Sequence, residues 1–218
     1  MKSVMVGVYR FGKDFATLSI ASGAKVYNEK IVRKGKDIYR IWDPKKSKLG
    51  AALRRGLDNT GFFEGAKVLY LGIASGTTAS HISDIIGPSG IIYGVEFSAR
   101  SIRDLLLVSK TRKNIIPVLA DARIPEQFAS RIEKVDILYQ DIAQKDQSEI
   151  FMRNAQAFLK KRGIAMIAIK ARSIDVIAKP KSVYAQEKRK LSEKFEILQQ
   201  IDLGHFEKDH AFFVCRLK

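Results

Sequence analysis

The stretch Val68-Leu-Tyr-Leu-Gly-Ile-Ala-Ser-Gly-Thr-Thr78 is an apolar strand that runs into a small-residue turn and then a helix. Gly72 and Gly76 let the backbone pass close to a ligand, and the first helical turn from Thr77 presents amide donors that have no partner within the helix. The next apolar run closes on Glu96, 20 residues beyond Gly76. A carboxylate there suits an adenosine cofactor, because it accepts from both ribose hydroxyls. Asp121, closing the third run, can accept from an adenine amino group. Two cofactor classes share these needs. A nicotinamide dinucleotide prefers G-x-G-x-x-G, so that its pyrophosphate sits on the helix end. Here the middle glycine is missing, a change that S-adenosylmethionine, which has no pyrophosphate, tolerates.

Outward from this loop, residues 68–71, 91–95, 115–119, 135–139 and 164–169 are short apolar, mostly β-branched runs of the kind buried on both faces of a parallel sheet. Helical stretches at 77–86, 99–110 and 147–160 separate most of them, which argues an α/β, doubly wound, Rossmann-like sheet. The last two runs, 195–203 and 211–217, are joined by the short polar GHFEKD and read as an antiparallel hairpin. The sheet should therefore end in a reversed C-terminal strand. Before residue 55 the pattern differs. Runs at 4–9, 15–20, 25–32 and 37–42, divided by Gly12, Ser22-Gly23 and Lys34-Gly35-Lys36, predict a small antiparallel β unit. A helix over 47–57 follows, with Ser47 as its N-cap. We expect two domains, 1–55 and 56–218.

Lys plus Arg total 39 against 23 Asp plus Glu, a net charge of +16. The first 66 residues carry 14 basic and 6 acidic side chains, so half the surplus lies in under a third of the chain. A surplus this large favours a polyanionic partner, nucleic acid ahead of an anionic membrane surface. No apolar run approaches the ~18–20 residues that span a bilayer, and the start lacks a signal-peptide core. The single Cys215, within AFFVCRL, can form neither an internal disulfide nor a metal cluster and reads as a buried strand residue. An intracellular protein is expected.

Seven phrases carry a resemblance over essentially the whole chain: RIWDPKKSKLGAAL (40–53), LGIASGTTASHISDIIG (71–87), YGVEFSARSIRDLL (93–106), NIIPVLADAR (114–123), VDILYQDIAQKDQ (135–147), IAIKARSID (167–175) and KDHAFFV (208–214). They resemble the fibrillarin family, and the absence of a Gly/Arg-rich tail resembles its archaeal, cytoplasmic form. The resemblance implies a class I S-adenosylmethionine-dependent methyltransferase fold. It also implies 2′-O-methylation of ribose in rRNA, and possibly tRNA, inside box C/D guide RNA particles. Partners would be the guide RNA and target rRNA, a Nop-family scaffold protein and a kink-turn-binding ribosomal-type protein. The cofactor would be lined by Gly72, Ala74, Gly76, Thr77, Thr78, Glu96, Phe97, Asp121, Ala122, Asp141, Ile142, Ala143 and Gln144. The family's Lys-Asp-Lys-His catalytic group falls on Lys48, Asp141, Lys170 and His210, with no metal. One departure is LGHFEKDH (203–210), where the family more usually has L-x-P-Y-x-x-D-H, so the turn presenting His210 lacks its proline.

The sulfonium of such a cofactor already activates its methyl group. The enzyme must align an in-line displacement and handle the proton of a weakly acidic ribose hydroxyl. A free lysine amine, with a pKa of ~10.4, is a poor base at neutral pH. Lys170 is therefore either a general base or a stabiliser of the developing oxyanion. Plainer readings exist for each residue: Lys170 as a solvated strand end, Asp141 as a loop cap, His210 paired with Asp209 or Glu207. His81 reads as structural, and Trp42, Phe62 and Phe63 as core or interface packing rather than RNA stacking. RNA contact is expected from the N-terminal part, from Lys45, Lys46, Arg54 and Arg55, and from residues 179–194. No base-reading module is present, which fits specificity supplied by a guide RNA and little activity of the chain alone. The competing functions are a nicotinamide-dependent oxidoreductase and a non-catalytic RNA-binding subunit.

Overall fold

The computed structural model describes residues 2–218. Five strands form an N-terminal antiparallel sheet: β1 (Lys2–Met5), β2 (Val8–Phe11), β3 (Asp14–Leu18), β4 (Ile31–Lys34) and β5 (Asp37–Trp42), in the order β1-β2-β3-β5-β4. Two expectations change here. The run 4–9 is broken into β1 and β2 because Gly7, at φ +66°, turns the chain so tightly against Ile85 that a Cβ would sit 2.8 Å from its Cγ2. The run 25–32 is strand only from Ile31. Side chains hold the preceding loop instead of a ladder: Ser19 Oγ accepts from Gly23 N, and the Glu29 carboxylate accepts from Val26 N and Tyr27 N.

Helix α1 (Lys48–Arg54) begins as anticipated, with the Ser47 side chain accepting from Gly50 N at 3.2 Å. The second sheet follows. Its strands are β6 (Lys67–Leu71), β7 (Ile91–Glu96), β8 (Ile115–Leu119), β9 (Val135–Gln140), β10 (Leu159–Lys170), β11 (Phe195–Asp202) and β12 (His210–Leu217). The helices are α2 (Thr77–Ile86), α3 (Ala99–Thr111), α4 (Gln147–Phe158), α5 (Ala171–Ile174) and α6 (Pro180–Ser192), and only two short 3-10 turns join β8 to β9. The order β11-β12-β10-β9-β6-β7-β8 is parallel except for β12, which runs against both of its neighbours. The reversed strand is therefore present. Strand β10 starts earlier than residue 164 and α4 ends earlier than 160, because a bulge between Leu159 and Ile164, with Arg162 at φ +59°, carries the chain directly from helix into sheet. Chain order reverses at β6, flanked by β9 and β7, and in such sheets ligands bind at the strand C-termini beside that point.

The two sheets share one apolar cluster, in which Val8, Phe15 and Trp42 pack with Val68, Ile82 and Phe212. Within that contact lies a buried polar network. Arg40 pairs with Glu29 and with Asp84 at 2.8 Å, and Arg112 takes the other Asp84 oxygen at 2.6 Å. His81 stacks on Trp42 with ring centroids 4.5 Å apart. The Thr17 hydroxyl donates to Asp84, so its oxygen accepts from His81 Nδ1–H, and Tyr27 donates to Nε2. This makes His81 a neutral structural residue. Its pKa is held well below the ordinary value, first by burial and then by Arg40 and Arg112. A second cluster, under α4 and α6, contains Leu69, Leu138, Phe151 and Phe213. Cys215 belongs to it, and burial pushes its thiol up to about 12. Trp42 and Phe62 are core as expected, but Phe63 is 46% exposed.

Candidate active site

Gly72 ends β6 at φ +76°, and a Cβ there would lie 2.4 Å from the Asp141 carbonyl oxygen. Only glycine allows the loops after β6 and β9 to touch in this way. Asp141 N donates to Leu71 O at 3.0 Å, fixing the approach. Beyond it Ala74 adopts φ +51° and donates its amide to Glu96 Oε2 at 3.0 Å, while Ser98 N takes Oε1 at 2.9 Å. Glu96 thus orders both the glycine loop and the start of α3. Gly76 serves as N-cap of α2 at φ +91°, with Leu105 2.9 Å from where a Cβ would stand.

These loops enclose a largely apolar cavity of about 270 Å³, lined by Gly72, Ala74, Val95, Glu96, Phe97, Ala120, Asp121, Ala122, Arg123 and Asp141 through Gln144. Asp121 is gripped by the Arg123 guanidinium, at 2.6 Å between Nη2 and Oδ2, and this holds its carboxyl below the usual range. Phe97 is 72% exposed at the rim. A second cavity, about 400 Å³, shares Gly72, Ala74, Asp141, Ile142 and Ala143 with the first and adds Lys46, Lys48, Tyr70, Ile73, Thr77, Thr78, Lys170, Glu207 and His210. Of the residues expected at a cofactor, all but Gly76 line one cavity or the other; Gly76 shapes the loop from behind.

Lys48, Asp141, Lys170 and His210, far apart in sequence, all face the second cavity. Lys48 Nζ lies 2.9 Å from Asp141 Oδ1. It stands there because α1 is anchored to α2: Thr78 Oγ1 donates to Ser47 Oγ at 2.8 Å. Lys170 ends β10 in register with His210, and among the described residues its amine makes no hydrogen bond or ion pair. His210 Nδ1 donates to the Lys208 carbonyl at 2.7 Å, leaving the lone pair on Nε2. Burial, with help from Lys48, holds its pKa below the ordinary value despite the Lys208 carbonyl and nearby Glu207 and Asp141. The turn closes without the missing proline: Phe206 N and Glu207 N both donate to Leu203 O, and Asp209 adopts φ +58°. Asp209 pairs with Arg172 at 3.2 Å rather than with His210.

Sequence reasoning missed Tyr70; it singled out Lys46 only for RNA contact and Glu207 only as a partner of His210. Tyr70 and Tyr139 are register partners in β6 and β9, with ring centroids 4.5 Å apart, and burial drives the hydroxyl pKa of each far upward. A tyrosine two residues before each of two ligand loops was the available signal. Among the described residues, no helix is long and apolar enough to cross a membrane.

A family model described as Fibrillarin matches residues 1–218. The fibrillarin-like rRNA/tRNA 2′-O-methyltransferase of Pyrococcus furiosus is 49% identical over 204 residues, covering 94% of this chain and 90% of that one. The crystal structure of Aeropyrum pernix fibrillarin with natively bound S-adenosyl-L-methionine superposes with a TM-score of 0.86 at 49% identity, covering 93% of this chain and 88% of that one. A fibrillarin/Nop5p complex matches at a TM-score of 0.90 and 42% identity, with 100% of both chains covered.

Proposed function

The chain belongs to the fibrillarin family, and on that premise we propose that it transfers the methyl group of S-adenosylmethionine to ribose 2′-hydroxyls of rRNA, and of tRNA, as the catalytic subunit of a box C/D guide RNA particle. The observation that carries the reading is the junction of two cavities along Gly72 and Asp141, one largely apolar with Glu96 and Asp121 in its lining, the other polar with three lysines. Relatives are named for this reaction, and one carries the cofactor. A relative's complex with Nop5p supports a Nop-family scaffold. The guide RNA, target rRNA and kink-turn-binding ribosomal-type protein complete the proposed particle, in the cytoplasm. A division of the chain near residue 55 belongs to the same reading.

The first cavity fits an S-adenosyl group by its chemistry. Each Glu96 oxygen accepts a single backbone amide and keeps capacity for a ribose hydroxyl. Phe97, Ala122 and Ile142 offer apolar faces to a base, and Asp121, once released by Arg123, accepts an exocyclic amine. When bound, the cofactor supplies an activated methyl group. The chain's residues do the rest. Asp141 and Lys48 hold each other in one orientation at the junction, where they fix the approach of the ribose hydroxyl. Lys170 takes the hydroxyl proton or steadies the charge left on oxygen. His210, neutral at pH 7, accepts a hydrogen bond through Nε2.

Calorimetric titration with S-adenosylmethionine, with NAD in parallel, tests the cofactor. Binding weakened about tenfold by Asp121→Ala, with NAD silent, is expected. Binding of NAD alone would move the protein to the dehydrogenases. A pH–rate profile unchanged in Lys170→Arg would exclude the base role and leave charge stabilisation.

A further inference from the structure

The parallel ladder between β9 and β10 ends at the pair Gln140 and Ile167, after which the β9 chain turns away at Asp141. Strand β10 continues to Lys170, whose backbone N–H and C=O are left without a strand on that side. Backbone groups away from water demand partners. Gln147, at the first position of α4 and fully buried, provides them. Its Oε1 accepts from Lys170 N at 3.0 Å, and its Nε2 donates to Lys170 O at 3.2 Å. The second Nε2 hydrogen goes to Gln144 O at 2.8 Å, on the wall of the first cavity. The Gln147 backbone is held in turn, since Gln140 Nε2 donates to its main-chain carbonyl at 2.7 Å. On the opposite side Lys170 pairs with His210.

We infer that Gln147 is a positioning residue for methyl transfer: its carboxamide replaces the missing strand, fixing the backbone of Lys170 against the loop that carries Gln144. The consequence for rate rests on the proposed function; the clamp itself does not. Glutamine alone among side chains of this length both donates twice and accepts. Methionine fills the space and satisfies none of the three groups. Ionised glutamate accepts from Lys170 N but sets a negative charge against two carbonyls, and it regains one donor on protonation.

The test uses the chain assembled with its scaffold and RNA. In Gln147→Met, kcat is expected to fall about 10–100-fold with the RNA KM within about threefold of wild type. Hydrogen exchange at the Lys170 amide should quicken while that at Leu138, inside the sheet, does not. In Gln147→Glu, the ratio of variant to wild-type rate should climb as pH is lowered from about 8 to about 6, as the buried carboxyl takes its proton. An unchanged kcat and unchanged Lys170 exchange in Gln147→Met would overturn the inference. If that variant fails to assemble, the Gln147→Glu ratio decides, with a rise supporting the clamp and a flat ratio refuting it. A wild-type particle that methylates nothing would defeat the proposed function, and Lys170 exchange would still judge the clamp.

Discussion

Helix α2 serves two clusters of opposite charges that are built on different terms. Ser80, His81 and Asp84, along its length, join Arg40, Glu29 and Arg112 between the two sheets, and the charged side chains there are 0% exposed. Thr77 and Thr78, at its start, face the cavity where Lys48 and Asp141 pair at 22% and 20% exposure and where, among the described residues, Lys170 stands unpaired. Removing an ion from water costs several kcal/mol, so each charge in the first cluster must be answered. Arginine's planar fork does this by reaching two carboxylates at once. In the second cluster water shares the work, and the donors and acceptors left over can meet a substrate. Charge paired out of water joins the sheets; charge left within reach of water is available for chemistry.

Several changes would break or sharpen that contrast. The largest effect is expected from Lys170→Ala, a loss of about 10²–10⁴-fold in methylation by the proposed particle, with the thermal midpoint unmoved. Arg40→Leu should do the reverse. It leaves Glu29 buried without its cation and Asp84 with Arg112 alone, and it lowers stability by about 3–5 kcal/mol in urea denaturation, while the rate per folded molecule holds. A rate that fell in step with stability would erase the distinction. His81 gives a smaller effect with a defined sign. Its folded pKa is depressed, so below about pH 6.5 the unfolded chain binds a proton that the folded chain refuses, and stability falls by up to about 1.4 kcal/mol per pH unit. Urea midpoints compared at about pH 7.5 and about pH 5.5 should show that slope, reduced in His81→Gln. Ser47→Ala is the mildest at about 1 kcal/mol, because it removes both the cap of α1 and the acceptor for Thr78. It should slow methylation by loosening Lys48, and an unaltered rate would mean that Lys48 is held from elsewhere.

Much of this was legible before any coordinates. Residues 77–86 form α2 with the bounds read from the sequence, and β8 and β5 likewise, because apolar periodicity and small-residue turns act locally. The reversed final strand followed from the short GHFEKD link, which is too short for a parallel crossover. The residues brought to the second cavity were legible through motif resemblance alone; no spacing joins Lys48 to His210. What stayed hidden depends on distant partners. Arg40, Glu29 and Arg112 look like solvated charges until the sheets close over them. The loop after β3 resembled a strand over 25–30, but its amides turn to the side chains of Ser19 and Glu29 beside them, and Glu29 is held in turn by Arg40. Gln147 gave no signal because an ordinary polar residue at a helix start needs no explanation until the end of β10 arrives beside it.

Cys215 carries a practical consequence. It is the chain's one cysteine, fully buried, with its thiol pushed up to about 12. Thiol-directed dyes at neutral pH should therefore find a blank background. A cysteine introduced in place of Ile177, 91% exposed on a loop closed by Asp175 and Arg172, would take a single fluorophore seven residues beyond Lys170. RNA arrival could then be timed optically, without altering any side chain that faces the cavity.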